Sequence, residues 1–217
     1  MRKAAYTLNE LLVVIAIIAI LAGLAIPALT SALERGKAAK DAANLRQLGV
    51  GMLQYINQNE DTMWGSAASG GTTSSWPQTL EQFVPDWKTF ESPFDTRAYS
   101  GVAPFAVSYG FNSQLYAKST AQFNYPSQLI VLAGAHNSGG TFTGSSQADV
   151  LLQVPLPPTS NGNPGGTFRS GAQLNVLYSD THVQPVLTIT YNDNSSTLGQ
   201  QQWNPNAVLP VVPGGGS

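Results

Sequence analysis

The 217 residues contain no cysteine, which excludes disulfides, thiolate nucleophiles and cysteine-ligated zinc or iron–sulfur sites. Charge is scarce as well. Lys, Arg, Asp and Glu make up 10% of the chain, against roughly 25% in an ordinary soluble domain. Ten bases against twelve acids leave a net charge of −2, without the basic excess of a nucleic-acid-binding face, so no nucleic acid is expected as a partner. There are only two histidines, His136 and His182, and no HExxH, GxSxG, Walker A or GxGxxG spacing. With so few groups able to carry chemistry, the chain is not expected to be an enzyme.

What is abundant is unevenly placed. Residues 11–29 read LLVVIAIIAILAGLAIPAL, nineteen in a row without a polar side chain. As an α-helix that run spans ~28 Å, close to the ~30 Å hydrocarbon core of a bilayer. It shows no polar face, as a soluble surface helix would. Pro27 removes one helical N–H near its end, where a kink or local loosening is expected. A short basic leader, Met1-Arg2-Lys3-Ala4-Ala5, precedes it, and Glu10 stands at its edge, where a carboxylate calls for a partner. Bases on both sides, Arg2 and Lys3 before and Arg35, Lys37, Lys40 and Arg46 after, leave the orientation open by charge count. An ordinary secretory signal cut after Ala32, or a plain single-pass anchor with Glu10 at the headgroups, fits the same run.

The stretch Ala5-Tyr6-Thr7-Leu8-Asn9-Glu10-Leu11-Leu12-Val13-Val14 resembles the cleavage and methylation signal of type IV prepilins and type II secretion pseudopilins. The resemblance implies cleavage by prepilin peptidase between Ala5 and Tyr6 and N-methylation of Tyr6. It implies a role for Glu10 in assembly, meeting the terminal amine of a neighbouring subunit, and a helix-loosening role for Pro27. Partners would be identical or related pilin subunits in a helical filament and an inner-membrane assembly platform. The chain would first be stored in the inner membrane with its N-terminus cytoplasmic, then become an extracytoplasmic filament at the periplasm or cell surface. Ala5 stands where the family prefers Gly, Tyr6 where it prefers Phe, and Asn9 where it has an apolar residue.

From Thr30 to Asn59 the helix is expected to continue as an amphipathic stalk. Ala38, Ala42, Leu45, Gly49, Met52, Leu53 and Ile56 recur on one face, and Arg35, Lys37, Lys40, Asp41 and Arg46 fall largely off it. Residues 62–217 then hold seven acids and four bases, eleven charges in 156 residues, or about 7%. Runs at 105–109, 129–133, 174–178 and 186–191 read as strands, residues 192–194 as a turn and 79–83 as a short helix. Residues 66–75 and 155–166 read as loops. The expected fold is α+β: one long N-terminal helix packed on an antiparallel sheet head with long loops. The expected division is a leader at 1–5, a membrane or filament-core helix at 6–29, a stalk at 30–60, a head at 61–209 and a flexible tail at 210–217.

The head, too, resembles a subfamily, the prepilin-like bacterial proteins with an H-x9-DG signature. Asn44-Leu45-Arg46-Gln47-Leu48-Gly49, Ser92-Pro93-Phe94-Asp95, Ser108-Tyr109-Gly110-Phe111-Asn112 and Asn175-Val176-Leu177-Tyr178-Ser179-Asp180-Thr181-His182-Val183 stand in that family's order. Ser92 takes the place of a Cys, Ser170 that of the signature His, and Thr181 that of its Gly. Asp180 and His182 share a face if extended and are metal or acid–base candidates, with a hydrogen-bonded turn as the plainer reading. Asp193 is a calcium candidate, and no other cofactor is expected. Trp64, Trp76, Trp87 and Trp203 are read as core, with a carbohydrate- or surface-binding patch as the alternative.

Overall fold

A computed structural model of the chain describes residues 7–65, 76–95, 98–99, 107–134, 141–142, 151–152, 173–187, 202 and 204–207. The protein is α+β. Helix α1, Leu8–Gln58, runs 51 residues and is unbroken through Pro27. It ends where Glu60 and Asp61 take left-handed backbone angles (φ 53° and 54°) and the Asp61 N–H donates to the Ile56 carbonyl. That bond satisfies a helix-end carbonyl without the usual glycine.

The chain divides into two compact units, residues 1–37 and 38–217. In the first, the helical residues 8–37 are all exposed, including ten isoleucines, leucines and valines between Leu11 and Leu24. In the second, α1 packs against four antiparallel strands. These are β2 (Tyr109–Asn112), β3 (Ile130–Gly134), β6 (Gln173–Tyr178) and β7 (Val183–Leu187). A two-residue strand, β5 (Leu151–Leu152), adds parallel to β2 and makes the order β5-β2-β3-β6-β7. Two further short strands, β1 (Ala98–Tyr99) and β4 (Thr141–Phe142), pair in parallel by themselves. Pro185 sits in β7, which has a neighbour only on its β6 side among the described strands, a position where a missing N–H is tolerated.

Side chains sort by the two-residue period of a strand. On β6, Asn175 and Leu177 face α1, whereas Leu174, Val176 and Tyr178 join Ile130, Ala133 and Val186 in a second apolar cluster. A register shift between Ile130 and Leu132 accounts for Val131 and Leu132 both entering the first cluster. That cluster takes Leu45, Leu48, Met52 and Ile56 from α1, and Phe111, Leu132 and Leu177 from the sheet. Trp64, Trp76 and Phe90 fill it, with Trp64 and Trp76 stacked at 6.3 Å and Trp64 4.5 Å from Phe111.

Several expectations shift. The short helix is α2, Trp76–Leu80, not 79–83, because Pro77 is preset for a first helical turn and Leu80 closes the turn that follows. The strand sought at 105–109 begins at Tyr109 and carries Gly110 and Asn112. Asn112 is tolerated there because its Nδ2 donates 2.9 Å to the Ile130 carbonyl. Leu53 is 41% exposed rather than packed, one residue out of phase with fully buried Met52 and Leu48. Asp41, assigned off the packed face, is 5% exposed and lies on it. The strand expected at 186–191 begins at Val183, because Pro185 is admitted where only β6 adjoins β7 among the described strands. Residues 188–191, the loops at 66–75 and 155–166, the turn at 192–194 and the tail lie outside the described residues.

Candidate functional site

The amino end of α1 is built by two side chains. Thr7 N–H and Thr7 Oγ1 both donate to Glu10 Oε2 at 2.8 Å, and Glu10 N–H donates back to Thr7 Oγ1 at 3.3 Å. This reciprocal arrangement is a capping box, which satisfies amide groups that a helix start leaves unpaired. The pattern Thr7-Leu8-Asn9-Glu10 is its sequence signature, and it is local enough to be found from the sequence. Glu10 thus has a partner within its own chain, with Oε1 taking no part in these bonds. Ala5 and Tyr6, the cleavage and methylation positions, lie outside the described residues. Beyond the capping box follows a helix long and apolar enough to be a membrane span or a signal sequence, with none of its apolar window buried. At Pro27 the carbonyl accepts a bond from Thr30 Oγ1 at 2.9 Å.

A second constellation forms where α1 enters the head. The Asp41 carboxylate receives three neutral donors: Ser92 Oγ and Tyr109 OH on Oδ1, each at 2.7 Å, and Asn175 Nδ2 on Oδ2 at 2.8 Å. Asn175 Nδ2 also donates to the Ala38 carbonyl at 3.0 Å, and Asn44 Nδ2 to the Glu91 carbonyl at 2.8 Å. No cation pairs with Asp41 among the described residues. Burial, and after it the Asp41 charge, hold the Tyr109 hydroxyl well above its ordinary pKa. The sequence motifs quoted separately therefore converge. Asn44, Ser92, Tyr109 and Asn175 come from all four, and Ser108 Oγ joins two more positions by donating to Asp95 Oδ2 at 2.7 Å. Ser92, standing where the resembled subfamily has Cys, acts here as a hydroxyl donor. What this arrangement does chemically is hold a helix to a sheet, since every group around the carboxylate is a neutral donor.

The third candidate is the tight connection between β6 and β7. Asp180 Oδ1 accepts from the His182 backbone N–H at 3.2 Å and from His182 Nδ1–H, and the His182 ring stacks on Tyr178 with centroids 4.3 Å apart. Thr181 between them has φ 70°, which a β-branched residue rarely adopts and which explains why glycine suits the position. Asp180 and His182 are brought together, in the hydrogen-bonded turn. No group of three metal-ligating side chains exists among the described residues. Asp193, His136, Ser170 and Trp203 lie outside them. Trp64 and Trp76 are core, and Trp87 is half-buried against Phe90.

No family model matches the chain, and neither do any curated protein or solved structure. The architecture, a long N-terminal apolar helix packed on a four-strand antiparallel sheet, is pilin-like.

Proposed function

We propose that this chain is a structural subunit of a type IV pilus-like or type II secretion pseudopilus filament, and not an enzyme. In this reading a prepilin peptidase removes residues 1–5, Tyr6 becomes the methylated N-terminus, and the chain waits in the inner membrane with its head outside. The assembly platform then packs α1 among the helices of identical or related subunits. The observation that carries the reading is the exposure of α1 over residues 8–37. An apolar surface of that extent is not kept in water and needs lipid in storage and neighbouring helices in assembly. Glu10 gives the packing its register, because a carboxylate and an ammonium in low dielectric attract strongly and each is costly alone.

The capping box favours a second reading, a membrane-anchored extracytoplasmic binding protein that does not polymerise, in which Glu10 only starts the helix. Glu10→Gln separates the two. Glutamine keeps the capping box but not the charge. The filament reading expects normal membrane insertion with filaments lost from the sheared cell-surface fraction and from electron micrographs. Filaments at wild-type levels would refute the assembly role of Glu10.

A further inference from the structure

The docked part of α1 is held in two different ways along its length. Between residues 38 and 44 the buried residues are Ala38, Asp41 and Asn44, and Ala38 belongs to neither apolar cluster. From Leu45 onward the buried side chains are Leu45, Leu48, Met52 and Ile56, all in the first cluster. The first two turns are thus fixed by five hydrogen bonds to three separate chain segments, around Ser92, at Tyr109 and at Asn175. The turns that follow are fixed by apolar burial, with a side-chain hydrogen bond beside it, from Thr89 Oγ1 to Gln47 Oε1 at 3.1 Å.

The two kinds of attachment fail differently. Apolar contact tolerates small shifts and loses free energy gradually with exposed area. A buried carboxylate among neutral donors either has its donors or must regain water, because an unpaired charge in that position is strongly disfavoured. Tyr109 belongs to the first apolar cluster through its ring and reaches Asp41 only with its hydroxyl, so the polar contact can part while the ring stays packed. An all-or-none polar contact at the edge of an apolar one is a local opening unit of the kind that separates from the rest of a fold.

We propose that the Asp41 cluster is a clasp that opens independently of the apolar core, giving α1 two docked lengths, one beginning at Ala38 and one at Leu45. Opening releases seven residues, about 10 Å of helix at 1.5 Å per residue, while Leu45, Leu48, Met52 and Ile56 stay packed. The clasp lets the emerging helix lengthen without loss of the head, whether or not the chain forms filaments. Asp41, Ser92, Tyr109 and Asn175 are its positioning residues. Asp41→Asn weakens it specifically, since an amide at 41 still accepts from Ser92 and Tyr109 but presents its own N–H donors to Asn175. Turning the Asn175 amide to accept would forfeit its bond to the Ala38 carbonyl.

The absence of native cysteine gives a clean test in the full chain held in detergent micelles. Single reporters Ala38→Cys and Met52→Cys, 4% and 0% exposed in the parent, are alkylated under native conditions. The clasp predicts faster labelling at 38 than at 52. Adding Asp41→Asn should raise the rate at 38 by about ten-fold or more, the scale of a lost hydrogen bond to a charged group. Leu48→Ala, which weakens only the apolar docking kept when the clasp opens, should raise the rate at 52 by about ten-fold or more and leave 38 unchanged. Equal rates at both sites, equal acceleration of both by Leu48→Ala, or no acceleration at 38 by Asp41→Asn would overturn it, because each means that the helix leaves the head only by global unfolding or that Asp41 does not hold it. Should Asp41→Asn fail to fold, Ser92→Ala removes a single donor and must also speed 38; should Leu48→Ala fail to fold, Ile56→Val removes a single methylene and must speed 52 alone.

Discussion

Gly51 tests the docking of α1 most sharply, because alanine is favoured by the helix and excluded by its neighbour. A Cβ on Gly51 would lie 2.5 Å from Val84 Cγ2 and 3.5 Å from Phe83 Cβ. Helix propensity alone makes Gly→Ala worth about 1 kcal/mol of stabilisation. Against this, the 2.5 Å approach is about 1 Å inside ordinary contact, and Val84 is buried with a stiff, β-branched side chain. Lifting α1 instead would loosen Leu48 and Met52, which are fully buried. Overpacking of this sort costs about 1–3 kcal/mol, so the net expectation for Gly51→Ala is destabilisation by about 1 kcal/mol. For a chain of this size that is a fall in melting temperature of about 2–4 °C. Gly49→Ala is the control on the same helix. Its Cβ would meet Leu177 Cδ1 at 3.0 Å, the movable tip of a side chain, so strain and propensity nearly cancel and the change stays within about 0.5 kcal/mol. Urea unfolding in mild detergent, followed by the fluorescence of buried Trp64 and Trp76, reads both variants. A Gly51→Ala protein more stable than its parent would refute the close approach of α1 to Val84.

Thr181→Gly should stabilise the β6–β7 connection by about 1 kcal/mol, since relief of a strained φ outweighs the extra freedom of glycine in the unfolded chain; the urea midpoint reads it, and a fall would count against strain there. Alkali should weaken the head. Burial pushes Tyr116 up to about 12, and burial with the Asp41 charge holds Tyr109 well above its ordinary value. A pKa raised by folding gives stability that is full below the unfolded value near pH ~10 and is lost as pH rises through the folded value. Unfolding midpoints should therefore fall from about pH 10 upward as tyrosinate absorbance rises, and a flat profile through pH ~12 would contradict the burial of both hydroxyls.

The apolar run, the helix that carries it and strands β3 and β6 were legible because each is long or strongly patterned, whereas β7 was obscured because Pro185 lies inside it. The packed face of α1 was only half legible. Position 41 lies three residues after Ala38 and four before Leu45, so the helical period places it on the buried face, yet a carboxylate there reads as solvent-facing until its donors are known. Those donors come from positions 92, 109 and 175, between 51 and 134 residues away, and no local pattern joins them to a helix. Ser92, Tyr109 and Asn175 could be quoted as pieces of motifs, but that they meet is a property of the tertiary fold. Thr7 differs, because its partner is three residues away and the capping pattern was present in the sequence. The strand at Tyr109–Asn112 was obscured by Gly110 and Asn112, both rare in strands, whose roles depend on the neighbouring β3.

The mature N-terminus bears most directly on the filament reading. Mass spectrometry of the chain extracted from membranes and from sheared filaments should find it beginning at a methylated Tyr6, with Ala5 and everything before it gone. Protein that retains Met1, or that begins after Ala32, would contradict the account.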